Sequence, residues 1–562
     1  MTQRGVSRPW TLAGAALAAA LAWVPTAAPA PAAPMQRPDA VLSAADAGRT
    51  LSGRLAPGQV LRYMVDLPAG HVVQGTFEGV DASLDLEDAD GRHLRRLGNP
   101  GGGGRDWMWA VPSGPVRLVV RARAAGPFQL TVARVLAPDS SPAASAADPA
   151  VPESPRLRAL MRHLDRGGST EPFWREIRRQ GTPLVEPLSP DEFLVTFLWR
   201  GARDNVRLFG GPSGDHEPLH RLGNSDLWWA GFRMAGTARL SYRLAPDVPR
   251  VRGTARDQRR AILATAQRDP FNPRVFPASL TAPVDAFQGD SALELPQAPP
   301  QPWVRWRPGV QRGVLLRERL TSDALGNERD VWVYRPAGAA PRALLVWFDA
   351  HEYLTRVHVP TIIDNLVADG MIPPVAVALV GNPSPQARAR ELPPNAAFTR
   401  FLDKELMPWL QARGLDLPAS RTVIGGSSYG GLAAAQAGFA LPHRFGHVLS
   451  LSGSYWWAPD GEPPGWVMRR YAEAPKRDVR FYLDAGRYER SRAGSAGILE
   501  TNRRLADVLR EKGYDVTQVE HEAGHDYFHW QGSLGCGLVA LLDPARHARG
   551  LAGCRTGGAA SR

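Results

Sequence analysis

Cysteine and lysine are the scarce residues of this chain. Of 562 residues only Cys536 and Cys554 are cysteines, which excludes a small disulfide-rich scaffold. Lysine stands only at Lys404, Lys476 and Lys512, so the formal net charge of +12 is carried almost wholly by arginine. The arginines are dispersed with no basic run, which argues against a nucleic-acid footprint and leaves a mild preference for anionic partners. Beyond the N-terminal segment no stretch reaches the ~18 consecutive apolar residues of a membrane span. A hydrophobic share of 44% and a charged share of 22% exclude disorder as a description of the whole chain. At ~150 residues per domain the length suggests three or four folding units.

The first segment reads as a leader. Arg4 and Arg8 precede an apolar run from Leu12 to Val24, followed by a small-residue stretch. This is the layout of a secretory signal peptide, with cleavage expected after Ala32, where Ala30 completes the A-x-A pattern. Residues 1–32 are therefore expected to be removed, leaving a charge of +10 on an exported, periplasmic protein without stable membrane insertion. In an oxidising compartment Cys536 and Cys554 are expected to pair.

Three units follow. Residues 34–135 carry short alternating segments such as Val60–Leu67, His71–Phe77, Val116–Ala122 and Phe128–Val132, bounded by Gly/Pro turns. This predicts an all-β sandwich. Residues 136–155 are an Ala/Pro/Ser-rich linker. A short helix near Ala159 then leads into strand-like runs at Phe193, Asn205, Leu227 and Ala238, predicting a second β-sandwich over 156–300. Over 301–546 the pattern changes: continuous apolar runs at Ala343, Val375, Arg421, His447, Val479 and Val516 alternate with helical segments. Strands of this kind belong to a parallel sheet covered by helices on both faces, here an α/β-hydrolase catalytic domain. Residues 547–562 form a tail.

The chemistry lies in the third unit. Gly426-Ser427-Ser428-Tyr429-Gly430 is a G-x-S-x-G pentapeptide between a β-branched run and an Ala-rich run. That is the strand–turn–helix context of a nucleophile elbow, and the glycine spacing selects Ser428 over Ser427. A serine hydroxyl needs an adjacent base. In chain order the acid and then the histidine should follow. His525, in the loop after the last strand, is the expected base, with His521 and His529 left to packing or surface roles. Glu489, after the Gly486 turn, is preferred as the acid, with Asp484 the alternative. Asp526 is a weaker third choice, better read as capping its loop. The oxyanion hole is expected from the Tyr429 N–H and an N–H of Ala350 or His351. His351 has no second ligand at metal spacing, so no metal and no cofactor are expected.

Several of these segments carry a family resemblance. Ser428-Tyr-Gly-Gly-Leu-Ala-Ala, His443-Arg-Phe-Gly-His-Val-Leu-Ser, Ser452-Gly-Ser-Tyr-Trp-Trp, Arg390-Glu-Leu with Asn395, and Gly524-His-Asp with Trp530 resemble the bacterial enterochelin (enterobactin) esterases. Upstream, Phe173-Trp, Gly181-Thr-Pro-Leu-Val, Asp269-Pro-Phe-Asn-Pro and Ser291-Ala-Leu-Glu-Leu-Pro resemble that family's N-terminal domain, so the likeness spans about Leu164 to Leu542. It implies a serine esterase that cleaves the trilactone esters of a catecholate siderophore, any iron being carried by the substrate. It also suggests Arg388 or Arg390 as receivers of anionic catecholates, and Trp456 and Trp457 as stacking partners. The leader and the extra unit at 34–135 depart from the cytoplasmic members. The rival reading is a feruloyl or carbohydrate esterase whose β modules bind glycan.

Overall fold

The computed structural model describes residues 40–79, 81–99, 105–139, 150–213, 216–280, 284–491, 496–551 and 553–554. The leader, with its expected cleavage point, lies outside these residues, as do positions 140–149 of the linker. Among the described residues no helix is long and apolar enough to cross a membrane.

Among the described residues the first unit has nine strands in two sheets, one of five strands and one of four. Alternation along each strand turns Val73, Phe77, Trp107, Leu130, Leu84, Leu118 and Val120 into one core shared by both sheets. The second unit also pairs two sheets, of four and five strands. Phe197, Trp228, Leu240, Tyr242 and Leu244 fill the space between them. The outer face of its four-stranded sheet is apolar as well, and helices Pro155–Asp165 and Glu171–Gln180 cover it with Leu157, Trp174 and Ile177. Phe173 and Trp174 lie in the second of these helices. A further helix, Ala255–Thr265, opens on a capping box of Thr254 and Asp257. Its arginine-rich sequence hides its apolar face, Ala261 and Ile262.

The third unit is built on an eight-stranded sheet. In chain order its strands are β1 (Val314–Ser322), β2 (Asn327–Arg335), β3 (Ala343–Trp347), β4 (Val375–Val380), β5 (Thr422–Ser427), β6 (His447–Leu451), β7 (Arg480–Gly486) and β8 (Val516–His521). Their spatial order is β1-β2-β4-β3-β5-β6-β7-β8. The last six are parallel; the five inner ones are buried, as their apolar runs require, and β8, at the other edge, is half-buried with only Val519 buried. The sheet is not wholly parallel, however. β1 and β2 form an antiparallel hairpin, and β2 joins β4 antiparallel. Edge strand β1 exposes Val314, Leu315 and Leu316, so its pattern carries no buried-strand signal.

Four helices frame the site: α1 (Pro385–Glu391), α2 (Tyr429–Ala440), α3 (Ile498–Glu511) and α4 (Tyr527–Leu542). Both α2 and α4 are apolar nearly all round and largely buried. Cys536 in α4 is joined to Cys554 by a disulfide with Cα atoms 5.4 Å apart.

Candidate active site

Ser428 sits in the one-residue turn between β5 and α2, with φ +58° and ψ −120°. A serine with positive φ is strained by ~1–3 kcal/mol. The strain is held by backbone bonds: the Ser428 N–H donates to the Leu451 carbonyl, and its own carbonyl accepts from Leu432 N and Ser454 N. The turn is tight because Gly426 has no Cβ; one added there would lie 2.9 Å from the Gly430 backbone. At Gly430 an added Cβ would meet nothing nearer than 3.5 Å, whereas at Gly431 it would strike Ser450 Oγ at 2.5 Å. The glycines that the geometry requires are therefore Gly426 and Gly431, not the symmetric pair of the motif. Ser427 remains in the strand, 1% exposed, while Ser428 is half-buried with its Oγ 3.4 Å from Ser454 Oγ.

His525 lies in the loop between β8 and α4. Its Nδ1 is 2.5 Å from Glu489 Oε1, and its ring packs edge-on against Trp530 at 4.7 Å. Glu489 is buried, and its second oxygen accepts from the Gly486 N–H and from Ser452 Oγ, each at 2.7 Å. Ser452 Oγ in turn accepts from Trp530 Nε1 at 3.1 Å. The buried carboxylate is thus fully partnered, as burial of charge demands. Ser454, two residues along the same turn, holds the Ser428 carbonyl. Turn 452–454 therefore ties Ser428 to the Glu489–His525 pair.

Asp484 stands apart from this group. β7 continues past it to Gly486, so it belongs to the strand and not to the loop that carries Glu489. There it is fully buried beside His529 and His521, each with Nε2 3.2 Å from a carboxylate oxygen. Burial alone would raise its pKa, but the two imidazoles hold it well below the usual carboxylate range. Asp526 caps α4 through Phe528 N and accepts from Ser241 of the second unit.

Opposite the elbow, Asp349 follows β3 in a left-handed conformation (φ +56°) and leads into Ala350 and His351. Ala350 is buried and His351 exposed. Arg388 of α1 forks onto Asp349 with bonds of 2.6 and 2.7 Å, and Asn382 adds a third at 2.6 Å. Burial works against the Arg388 charge, but Asp349 outweighs it and the net shift is upward. Arg388 is thus engaged in holding the loop after β3. Arg390 points elsewhere, into a cavity of about 440 Å³ shared with Arg256, Arg260, Met108 and Asp106 of the first two units. The two tryptophans also separate. Trp456 is 40% exposed and 6.1 Å from the Tyr429 ring, whereas Trp457 packs edge-on against Trp466.

Sequence reasoning did not single out Ser452, Ser454 or Asp349 as working residues. The available signal was their position directly after strands β6 and β3, at the same end of the sheet as Ser428.

Fold and site together define a carboxylic ester hydrolase on an α/β sheet. The second unit matches the family described as enterochelin esterase, N-terminal, over residues 194–304, and the third matches putative esterase over 322–541. The iron(III) enterobactin esterase of Dickeya dadantii is 31% identical over 423 residues, covering 66% of this chain and 93% of that protein. The enzyme of the same description from Escherichia coli O6:H1 is 30% identical, covering 68% of this chain and 98% of its own. Among solved structures, the Shigella flexneri enterobactin esterase determined in the presence of enterobactin superposes with a TM-score of 0.53 at 28% identity, over 65% of this chain and 97% of that one. The ferric enterobactin esterase of Salmonella typhimurium gives 0.55 at 28%, over 67% and 99%. The chain belongs to the enterochelin (enterobactin) esterase family. Residues 34–135 lie outside both family matches.

Proposed function

We propose that this protein is an exported serine esterase that hydrolyses the ester bonds of a catecholate siderophore of the enterobactin type, in its ferric or metal-free form. The observation that carries this reading is the pairing of His525 with buried Glu489, tied through the 452–454 turn to a strained Ser428, on a chain that shares both domains, in order, with the enterobactin esterases.

In the proposed reaction Ser428 Oγ attacks the ester carbonyl carbon while His525 Nε2 takes its proton. Glu489 fixes the imidazole with Nδ1–H toward Oε1 and stabilises the imidazolium. The oxyanion is received by the Tyr429 N–H and an N–H of Ala350 or His351, each worth ~3 kcal/mol in the transition state. Arg388 acts at one remove by holding Asp349, the residue before that second donor. His525 returns the proton to the departing alkoxide, leaving an acyl group on Ser428. A water, deprotonated by His525, then releases the acid and restores the serine. Exposed Trp456 beside Tyr429 suits an aromatic catecholate better than Trp457.

The first two units are read as β-sandwiches ahead of an α/β-hydrolase domain. Each has two sheets sharing one core, and the third has a 1-2-4-3-5-6-7-8 strand order. Export to the periplasm, after cleavage at Ala32, is supported by the leader-like residues 1–32 and by the Cys536–Cys554 disulfide, a bond that persists in oxidising compartments.

The test compares wild type with Ser428→Ala on ferric enterobactin, metal-free enterobactin and a feruloylated sugar. Trilactone cleavage by wild type, falling ~10⁶-fold in the variant, is expected. Rapid feruloyl release with no trilactone cleavage would overturn the substrate, and an active variant would overturn the serine mechanism.

A further inference from the structure

A second cluster lies beneath the His525 loop and takes no part in the proposed reaction. Asp484 of β7, His521 at the end of β8 and His529 in the first turn of α4 bring one donor atom each to within 4.8 Å of one another. His529 Nε2 is 3.2 and 3.3 Å from the two oxygens of Asp484, and 3.0 Å from Ser533 Oγ one turn along. His521 Nε2 is 3.2 Å from Asp484 Oδ2. Yet that approach lacks hydrogen-bond alignment, and this buried nitrogen has no hydrogen-bond partner. The two rings lie 4.4 Å apart. A pocket of about 20 Å³, lined by Arg239, Gln301, Glu522 and Ser533, adjoins the cluster. That is room for about one water. Arg239, the cation nearest this pocket, is already paired with Glu294.

Two imidazole nitrogens and a carboxylate converging on one point form a donor set for a first-row transition ion; Ca²⁺ and Mg²⁺ prefer oxygen alone. We propose that Asp484, His521 and His529 bind a divalent transition-metal ion of the zinc type, with Ser533 or a water from the adjoining pocket in the remaining position.

The role follows from the spacing. His521 and His529 stand four residues before and four residues after His525, and Asp484 stands five before Glu489. An ion held by all three would fasten both ends of the loop that carries the base, together with the strand from which the acid's loop departs. The site is a staple under the catalytic pair, and its metal touches no reacting atom. The two histidines are eight apart and the aspartate lies 37 residues before the first of them, a separation that matches no metal spacing in the sequence.

The test uses the mature, tag-free protein, stripped with a chelator and then equilibrated with micromolar Zn²⁺. One equivalent of zinc retained per chain through gel filtration, with a rise in thermal midpoint, is expected. His529→Gln and His521→Gln, which keep size and hydrogen-bonding capacity but lose the imidazole ligand, should retain under a tenth of an equivalent and show no rise. Wild type that takes up no zinc, or variants that retain it undiminished, would overturn the site. Should the variants fail to fold, Co²⁺ added to wild type decides: a visible band of tetrahedral character supports the site, and octahedral aquo-type absorption sinks it. None of these readouts depends on the siderophore reading.

Discussion

Glu489 and Asp484 are separated by five positions, and both are buried acids beside histidine. They differ in what surrounds them. Glu489 shares one oxygen with Ser452 and Gly486 and gives the other to His525, whereas Asp484 faces His521 and His529. Glu489→Gln should therefore keep the fold and lower kcat by ~10³–10⁴, with KM little changed, since the imidazole loses its orienting charge. Asp484→Asn should lower kcat far less; steady-state kinetics on both variants, with thermal melts as a control on folding, checks this. The elbow serine and the loop histidine were legible because G-x-S-x-G and Gly524-His-Asp are local patterns. Ser452 was not. It takes a positive φ of 48°, and a serine in that conformation has no mark in sequence. Arg388 was legible only as a charge: that it would fork onto Asp349 rather than face solvent depends on how the loops after β3 and β4 meet.

Elements were read from their periodicity wherever one face, or both, is buried. The five inner parallel strands declared themselves as apolar runs and edge strand β8 by its β-branched residues, while the β1–β2 hairpin at the opposite edge did not. The helix over Ala255–Thr265 was masked by its arginines. In the strand–turn–helix of the elbow the motif's two glycines are not equivalent. Gly426→Ala should destabilise by ~1–3 kcal/mol, because its Cβ meets backbone that cannot step aside. Gly430→Ala should cost clearly less. Denaturant melts of the two variants check the order. A second element-level tie joins the segment Phe401–Leu406 to the turn before β6, where Asp403 accepts from His443, Arg444 and Lys404. Burial opposes the Asp403 charge, but these donors prevail and bring its pKa down to about 2. A carboxyl whose folded pKa is depressed adds stability above its unfolded value of ~3.9 and loses it as the pH falls through the folded value. Asp403→Asn should thus lower the thermal midpoint at pH 7, and the gap to wild type should close between pH 4 and pH 2.

The three units are packed rather than strung. Val72 of the first, and Leu136 at the end of its strand Gly126–Leu136, share an apolar cluster with Ala245, Val248 and Ile262 of the second, and Arg134 pairs with Asp257 across the same boundary. Nothing in the composition of either unit announced that contact, which arises from surfaces far apart in sequence. The net positive charge, by contrast, was legible at once, and its use is a matter for the entire chain. If it draws a catecholate anion toward Ser428, kcat/KM should fall several-fold as salt is raised from 20 to 500 mM, with kcat unchanged. Stopped-flow or initial-rate measurements across that range decide it, and a flat profile would refute the steering.

The bond between Asp526 and Ser241 crosses from the third unit to the second, one residue beyond His525. Its consequence is for how such enzymes can be recombined. A third unit grafted onto a foreign partner would keep Ser428, Glu489 and His525 yet lose the outside handhold beside His525. Turnover would then drop for reasons that have nothing to do with recognising the new substrate. Chimeras that carry the Arg239–Pro246 strand along with the third unit would be the ones that inherit a working active site.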